Sequence, residues 1–117
     1  MEPVERMASG RSADQPYVEF LRVPAMRAGV YVLQAGTTDR QTPHEEDELY
    51  YVVRGRARFR QGADEREVRT GDVLYVPARE THSFYEIEET LVLLVVFGPA
   101  ESSAQRTAEA LLGPGAD

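Results

Sequence analysis

The feature that most constrains the fold is a succession of short runs of β-branched and aromatic residues, separated by turn residues. From Tyr17 onward, Gly, Pro and Asp punctuate the chain between one run and the next. The runs read YVEFLRV, AGVYVLQ, ELYYVV, ARFRQ, REVR, DVLYV, HSFYEI and LVLLVVF. Such runs, bounded by turn residues, are typical of strands that pack in a sheet. The pattern predicts an all-β domain built from antiparallel strands.

The last run differs from the others because it has no polar face. Leu91 to Phe97 reads LVLLVVF, which is expected of a strand that is buried on both sides. Such a strand would lie between the interior of the domain and a second layer or a second subunit. The run therefore suggests an interface with another copy of the chain.

The segments that flank the strands lack this pattern. Residues 1–16 mix Ser, Gly, Pro and alternating charges without periodicity, which predicts a flexible N-terminal segment. Residues 17–99 hold all the predicted strands. Residues 100–117 form a C-terminal tail in which ESSAQRTAEALLG fits a short helix between a serine cap and Gly113. At 117 residues, the chain is expected to form a single domain.

Composition limits the chemistry and the partners of the chain. There is no cysteine, so disulfides, thiolate zinc sites and cysteine nucleophiles are excluded, and any metal must be held by nitrogen and oxygen. A net charge of −7 opposes phosphate backbones and anionic lipids, so neither nucleic acid nor a membrane is an expected partner. No apolar run is long enough to span a bilayer, and the first residues do not resemble a secretory signal. We therefore expect a cytoplasmic protein.

The stretch TPHEEDELYYVVRG places one histidine directly before four acidic residues and an apolar run. The chain has two histidines, His44 in this stretch and His82 after a strand and a Pro-containing turn. Glu48 opens the strand that follows the acidic turn, so His44 and Glu48 can converge. His82 lies on a returning strand and can face back into the same cavity. Two imidazoles and one carboxylate could thus meet, although a histidine beside acidic residues is also common in a solvated turn.

The spacing of these residues resembles the two motifs of the cupin family, over residues 36–86. The first motif has a glycine, five residues, His, one residue, His, three or four residues, Glu, six residues and a glycine. Here it reads Gly36, TTDRQ, Thr42, Pro43, His44, EED, Glu48, LYYVVR, Gly55. The second motif has a glycine, five residues, Pro, one residue, Gly, two residues, His, three residues and Asn. Here it reads Gly71, DVLYV, Pro77, Ala78, Arg79, ET, His82, SFY, Glu86.

The resemblance implies a double-stranded β-helix, a cupin or jelly-roll barrel of six to eight antiparallel strands with a divalent metal at its centre. The metal ligands would be His44, Glu48 and His82, and Thr42 stands where the family has a further imidazole. Two histidines and one carboxylate suit iron, manganese, nickel or zinc. Because one imidazole is missing, a metal-free fold is the alternative. Small members of the family are usually homodimers, so the resemblance also implies a homodimer.

Three further residues are candidates for the chemistry. Tyr50 has the strand parity of Glu48, so its phenol would line the cavity as a hydrogen-bond donor or weak acid; the alternative is a core tyrosine with a satisfied hydroxyl. Glu86 shares the parity of His82, which would put its carboxylate near the rim of the pocket as a candidate general base. Glu46 could replace the lost imidazole as an oxygen ligand, although a solvated turn is the simpler interpretation.

These features predict a metal-dependent enzyme that acts on a small organic molecule, of the dioxygenase, isomerase or decarboxylase type. The metal would activate dioxygen or polarise a carbonyl, and Tyr50 would orient the substrate. The competing hypothesis is a non-catalytic module that holds a sugar or another small molecule in the same cavity. Thr42 favours the binding module, whereas the intact Glu48 favours the metal site.

Overall fold

The computed structural model describes residues 3–12, 14–39 and 43–99. These residues form one short helix and six strands: α1 (Val4–Ala8), β1 (Tyr17–Val23), β2 (Met26–Leu33), β3 (Asp47–Gln61), β4 (Asp64–Arg69), β5 (Val73–Val76) and β6 (His82–Gly98). Each run that the sequence marked as β falls on a strand, so the predicted all-β class is confirmed. The expected C-terminal helix and Thr42 lie outside the described residues. Across the described ranges, we find no helix with the length and apolar character needed to cross a membrane.

The strands form one antiparallel sheet whose longest ladder joins β3 and β6. The pairing order is β1, β2, β6, β3, β4, and β5 adds to the first half of β3. The β3–β6 ladder runs from the pair Asp47–Gly98 at one end to the pair Gln61–His82 at the other, with register shifts between them. Each of these two strands contains two of the predicted runs, because the chain bends at the register shifts and stays paired.

The bend of β3 is located at Gly55. This residue has a φ of +112°, in the region that favours glycine. A Cβ atom here would lie 2.4 Å from the carbonyl oxygen of Thr90 and 2.8 Å from the Cα of Leu91. Because both obstacles are backbone atoms, they cannot rotate away. The close approach of the two long strands therefore requires glycine at this position.

The inner face of the bent sheet is a single apolar core. Tyr50, Phe59 and Phe84 are fully buried, and their ring centroids lie 4.6 to 6.4 Å apart. Strands β2 to β6 supply the other buried members: Tyr31, Leu33, Val52, Ala57, Val68, Leu74, Val76, Ile87, Leu91, Leu93, Val95 and Phe97. Removing this much apolar surface from water is the main source of stability for the fold.

Part of the outer face is covered by α1. The helix contributes three apolar side chains to a second cluster, whose sheet members include three buried valines: Val4, Met7 and Ala8 pack with Val30, Val32 and Val92. The segment 1–16 was expected to be flexible, yet it carries this helix. Its apolar residues recur at i, i+3 and i+4 over a single turn, which is too short a pattern to be recognised in the sequence.

A further part of the outer face is apolar and uncovered within the described part of the chain. Leu49 and Tyr51 on β3 lie opposite Tyr75 and Val73 on β5. Their exposed fractions are 44%, 42%, 55% and 60% in that order. These four residues, which we call the β3–β5 face, form a contiguous patch of the kind that marks interaction surfaces.

Candidate functional site

Glu48 and His82 lie at opposite ends of the β3–β6 ladder and yet are in contact. Glu48 pairs with Phe97 at one end, and His82 pairs with Gln61 at the other. A straight ladder of this length would separate them by roughly 40 Å. The bend at Gly55 and the pairing of β5 with the start of β3 fold the ladder on itself. As a result, Oε1 of Glu48 lies 3.2 Å from Nε2 of His82.

The second histidine completes a three-residue cluster. Nε2 of His44 lies 3.8 Å from the same Oε1 atom of Glu48. Glu48 is 1% exposed and His82 is 4% exposed, while the side chain of His44 is 29% exposed. The cluster therefore has a buried carboxylate at its base and one imidazole near the opening. Both histidines and the carboxylate that the sequence singled out are brought together.

The hydrogen bonds of His82 fix which of its nitrogens faces the cluster. Nδ1 donates to the carbonyl oxygen of Glu80 at 2.9 Å, because a carbonyl oxygen can only accept. Nε2 is then the atom that faces Glu48, and the hydroxyl of Tyr50 lies 3.2 Å from it. Tyr50 is fully buried. The predicted inward orientation of Tyr50 is therefore what the structure has, and its hydroxyl contacts an imidazole of the cluster.

Opposing influences act on the charge state of His82. Burial by itself would lower the pKa of this imidazole. The hydrogen bonds to Glu48 and to the carbonyl of Glu80, together with the charges of Glu48 and Asp39, outweigh burial and raise the pKa of His82 above its ordinary value of 6.5. The cluster therefore favours a positive charge beside Oε1 of Glu48.

The donor atoms of the cluster are of the types that bind a divalent cation, but in the present arrangement they contact one another. Within residues 3–12, 14–39 and 43–99, no group of three His, Asp or Glu side chains is arranged to hold a metal ion. Oε2 of Glu48 is buried and has no hydrogen-bond partner among the residues that the structure describes. A carboxylate oxygen left alone in the interior is costly unless a cation or a donor meets it. Two imidazole nitrogens and this carboxylate form a donor set that suits divalent transition metals.

The other acidic residues of the HEEDE run contact two parts of the barrel, the turn between β5 and β6 and strand β2. Glu45 forms an exposed ion pair with Arg79 at 3.3 Å. Glu46 forms a two-point pair with Arg27 on β2, with the shortest distance 2.7 Å. Asp47 accepts a hydrogen bond from the backbone amide of Ala78 at 2.9 Å. Each of these acidic residues therefore has a specific partner. Glu46 is paired with Arg27 and does not serve as a further ligand of the cluster.

The Arg27–Glu46 pair changes the titration of both partners. Its hydrogen bonds raise the pKa of Arg27 and lower the pKa of Glu46 from their ordinary values, although burial opposes both shifts. Arg27 also contacts Glu19 at 3.4 Å. The two carboxylates neutralise the guanidinium at the edge of the cluster.

Arg79 stands where the second cupin motif has a glycine, and it keeps the backbone conformation of a glycine. Its φ is +67°, in the left-handed region. In this conformation its amide donates to the carbonyl oxygen of His44 at 2.6 Å. Arg79 therefore occupies a backbone conformation that favours glycine, and its amide joins this turn to His44.

Glu86 does not join the cluster. Phe84 is fully buried, as its parity with His82 predicts, but Glu86 is exposed and has a φ of +45°. This left-handed residue breaks the alternation of β6, so Ile87 takes the next inward position. The parity argument for a carboxylate at the pocket rim assumed a regular strand, and the irregularity turns the side chain outward.

Three polar residues that the sequence did not single out lie in or against the apolar core. Asp39 is buried and accepts hydrogen bonds from the hydroxyl of Tyr31 at 3.1 Å and from the amide of Phe84 at 2.9 Å. Burial, followed by the charge of Asp39 and its hydrogen bond, raises the pKa of Tyr31 well above its ordinary value. Tyr17 lies on Gly29, where a Cβ would come within 2.4 Å of its ring. Its buried hydroxyl has no hydrogen-bond partner in the described part of the chain.

Residues 29–97, more than half of the chain, match the family described as Cupin domain. The chain therefore belongs to the cupin family, and the barrel implied by its two motifs is confirmed. It is 47% identical over 100 residues to a protein of Streptomyces coelicolor named Uncharacterized protein SCO3923, covering 85% of this chain and 95% of that protein.

Two solved structures illustrate the shared fold. TT1209 from Thermus thermophilus superposes with a TM-score of 0.69 at 22% identity, covering 85% of this chain and 96% of that one. DMSP lyase DddQ from Ruegeria pomeroyi DSS-3 superposes with a TM-score of 0.64 at 20% identity, covering 76% of this chain and 51% of that one. At these identities the likeness concerns the fold.

Proposed function

We propose that the protein is a metal-dependent cupin enzyme that acts on a small organic molecule, with a divalent cation held by His44, Glu48 and His82. The observation that carries this proposal is the state of Glu48. Its carboxylate is almost fully buried, one oxygen lies between two imidazole nitrogens, and the other oxygen has no hydrogen-bond partner in the described part of the chain. A residue that only supported the fold would gain from being apolar at this position.

The chemistry of the donors supports a transition metal over calcium or magnesium. Two imidazoles and one carboxylate match the preferences of iron, manganese, nickel and zinc. Such an ion, when bound, supplies a Lewis acid or a redox centre beside the aromatic interior. His82 is oriented for this role, because the carbonyl of Glu80 holds Nδ1 and leaves Nε2 directed at Glu48.

The residues around the cluster would position the substrate and exclude water. Tyr50 has its hydroxyl 3.2 Å from Nε2 of His82, and it could donate its proton to a substrate oxygen once Nε2 is engaged by the cation. Phe59 and Phe84 close the interior behind Tyr50 and keep water from the carboxylate. The name of DMSP lyase DddQ gives that protein a catalytic activity, so a fold of this kind is compatible with catalysis. The reaction class we propose is that of a dioxygenase, isomerase or decarboxylase.

A second candidate function is a binding module without catalysis. The present arrangement of the cluster favours it, because His82 and Glu48 already satisfy one another as a hydrogen-bonded pair. In that case a sugar or another small polar molecule would occupy the barrel and satisfy the free oxygen of Glu48 and the free hydroxyl of Tyr17.

The first experiment is metal analysis by plasma mass spectrometry on protein purified without a tag or chelator. We expect about one divalent ion per chain in the wild type, and loss of that ion in His44→Ala, His82→Ala and Glu48→Gln. Glu45→Gln is the matched control, since this carboxylate is exposed and contacts Arg79. It should retain the ion.

The outcomes separate the two candidates. A well-folded wild type that takes up no iron, manganese, nickel or zinc after reconstitution would overturn the metal-dependent mechanism and favour the binding module. If the ion is present, a screen of small organic acids, sugars and aromatics by thermal shift identifies ligands, and product analysis distinguishes turnover from binding. A catalyst should lose turnover in Tyr50→Phe by more than it loses affinity.

We also propose that the protein is a homodimer and that the β3–β5 face is its interface. All four residues of this face are uncharged, in a chain whose net charge is −7. A twofold axis brings a patch against its own copy, so an uncharged patch avoids the like-charge contacts that any acidic residue would create. This property suits a second copy better than a charged partner.

A further inference from the structure

Arg27 links two residues, Glu46 and Phe97, that come from separate parts of the chain. Its Nη2 lies 2.7 Å from Oε1 of Glu46, and its Nε lies 2.9 Å from Oε2, so the pair is bidentate. The guanidinium carbon lies 3.9 Å from the centroid of Phe97, which is the pairing partner of Arg27 in the sheet. Ion pairing and stacking on a ring are the two contacts for which the planar guanidinium is best suited.

Phe97 connects Arg27 to the candidate site. Its ring meets the imidazole of His44 edge to face, with centroids 5.2 Å apart. Phe97 is 4% exposed and pairs with Glu48 on its other side. The ring is therefore fixed in the sheet and carries the guanidinium of Arg27 on its face and the imidazole of His44 in a near-perpendicular contact.

The same arginine restrains His44 along the chain. Glu46 follows His44 by two residues, in the turn that precedes β3, and it is this residue that Arg27 binds at two points. The side chain of Arg27 is 21% exposed and that of Glu46 is 30% exposed, so solvent screens this pair less than the exposed pairs of the surface. His44 itself lies outside any strand and is the most exposed member of the cluster.

We propose that Arg27 is a positioning residue for His44, acting through the ion pair with Glu46 and the stack on Phe97. This inference rests on the proposed function, in which His44 is a ligand. A ligand on a turn loses affinity when its ring can adopt several orientations, and residues that orient ligands typically contribute about 10- to 100-fold to metal affinity. Arg27, on β2, thus restricts the orientations that His44 can adopt on its turn.

The first test is metal affinity, measured by isothermal titration of apo-protein with Zn²⁺. Arg27→Met keeps an apolar side chain over Phe97 and removes the charge, and we expect the dissociation constant to rise by about 10- to 100-fold. Arg27→Lys keeps the charge without the bidentate geometry, and its dissociation constant should lie between those of the wild type and Arg27→Met. Arg22→Met is the matched control, because Arg22 is 69% exposed and pairs with Glu19. Its affinity should stay within about twofold of the wild type. An Arg27→Met protein within that same range would overturn the inference.

The second test needs no metal and reads the ring of His44 directly. The chain has two histidines, so its imidazole nitrogen–proton spectrum contains two sets of signals. In apo wild type we expect nuclear Overhauser contacts between His44 and the ring of Phe97. Arg27→Met should weaken them and average the His44 signals, while the signals of buried His82 serve as the internal control. Unchanged contacts would show that Arg27 does not position His44.

The two tests fail separately. If the wild type binds no divalent ion, the proposed function falls, and the spectrum still decides whether Arg27 orients His44. If Arg27→Met does not fold, Glu46→Gln breaks the ion pair while it keeps the stack on Phe97. This variant is then expected to weaken Zn²⁺ binding and the contacts of His44 with Phe97 in the same direction, and an unchanged spectrum and affinity would overturn the inference.

Discussion

The backbone amide of Arg79 donates a 2.6 Å hydrogen bond to the carbonyl oxygen of His44. This bond joins the turn that carries the first histidine to the turn that leads into the second, His82. A second bond between the same turns runs from the amide of Ala78 to the carboxylate of Asp47. The segments that carry the two histidines are thus joined by hydrogen bonds that involve no ligand.

The left-handed conformation of Arg79 gives a prediction about stability. A residue with a Cβ pays about 1 kcal/mol or more at such a φ, so Arg79→Gly is expected to raise the free energy of unfolding by about 1 kcal/mol. Arg79→Ala keeps the Cβ and removes the exposed pair with Glu45, and it should stay within about 0.5 kcal/mol of the wild type. Urea unfolding of the three proteins measures this. A glycine variant less stable than the alanine variant would contradict the interpretation.

The buried carboxylate of Glu48 predicts a conflict between stability and binding. In the absence of metal, and at a pH above the raised pKa of His82 where its imidazole is neutral, Glu48→Gln removes a buried charge that lacks a full set of partners among the described residues and should raise the free energy of unfolding by about 1 kcal/mol. The same variant should lose the gain in melting temperature that the wild type shows on adding a divalent ion. Differential scanning calorimetry with and without the ion checks both parts. A variant that is destabilised without metal would argue that Glu48 serves the fold.

The bend of β3 predicts that Gly55 tolerates no substitution. Gly55→Ala would place a Cβ against the carbonyl of Thr90 in a strained backbone, and we expect a loss of about 3 kcal/mol or more. Gly98→Ala is the control, since a Cβ there meets no atom within 4 Å. It should change stability by less than about 0.5 kcal/mol. Thermal unfolding of both variants measures the difference, and equal effects would mean that the strands can move apart at the bend.

The hydrogen bond between Tyr31 and Asp39 predicts a loss of stability in alkaline solution. The folded protein holds the proton of Tyr31 more tightly than the unfolded chain, whose tyrosine titrates near pH 10. Its contribution is therefore complete below pH 10 and declines as the pH rises through the higher pKa of the folded state. The slope is about 1.4 kcal/mol per pH unit. The stability of the wild type minus that of Tyr31→Phe should fall between about pH 10 and 11.5, and a constant difference would exclude this role.

The β3–β5 face predicts how the oligomer responds to charge. In the wild type, sedimentation velocity should give a species of twice the 13.1 kDa chain mass. Val73→Lys places like charges against each other across the axis, so a monomer is expected. Phe20→Lys is the control, since Phe20 is 48% exposed on β1, outside this face. It should remain dimeric, whereas a dimeric Val73→Lys protein would assign the interface to another surface.

The strands could be predicted from the sequence because alternation of apolar residues is a local property. It was harder to predict that two successive runs belong to one strand. Strands β3 and β6 each bend at register shifts, and apart from Gly55 no turn residue marks these positions in the sequence. The three members of the cluster were found through their motif spacing. Strand parity succeeded for Tyr50 and failed for Glu86, where one left-handed residue shifts every later side chain to the other face.

Contacts between distant parts of the chain account for what the sequence did not reveal. Arg27 and Glu46 are 19 residues apart and meet only because β2 and the turn before β3 flank the same ring of Phe97. The attachment of Asp39 to Phe84 spans 45 residues. Pairings of this kind depend on the closed shape of the sheet, and no periodic pattern encodes them.

The residues that match the cupin family begin at Gly29, inside β2, so that α1 and β1 lie outside the match. The buried state of Val30 and Val32 nevertheless depends on α1, and the ring of Tyr17 from β1 lies on Gly29. A chain shortened to residues 29–97 would turn β2 into an open edge with unpaired backbone groups and is expected to aggregate. In this protein, the segment that identifies the family is shorter than the segment that has to fold as one unit.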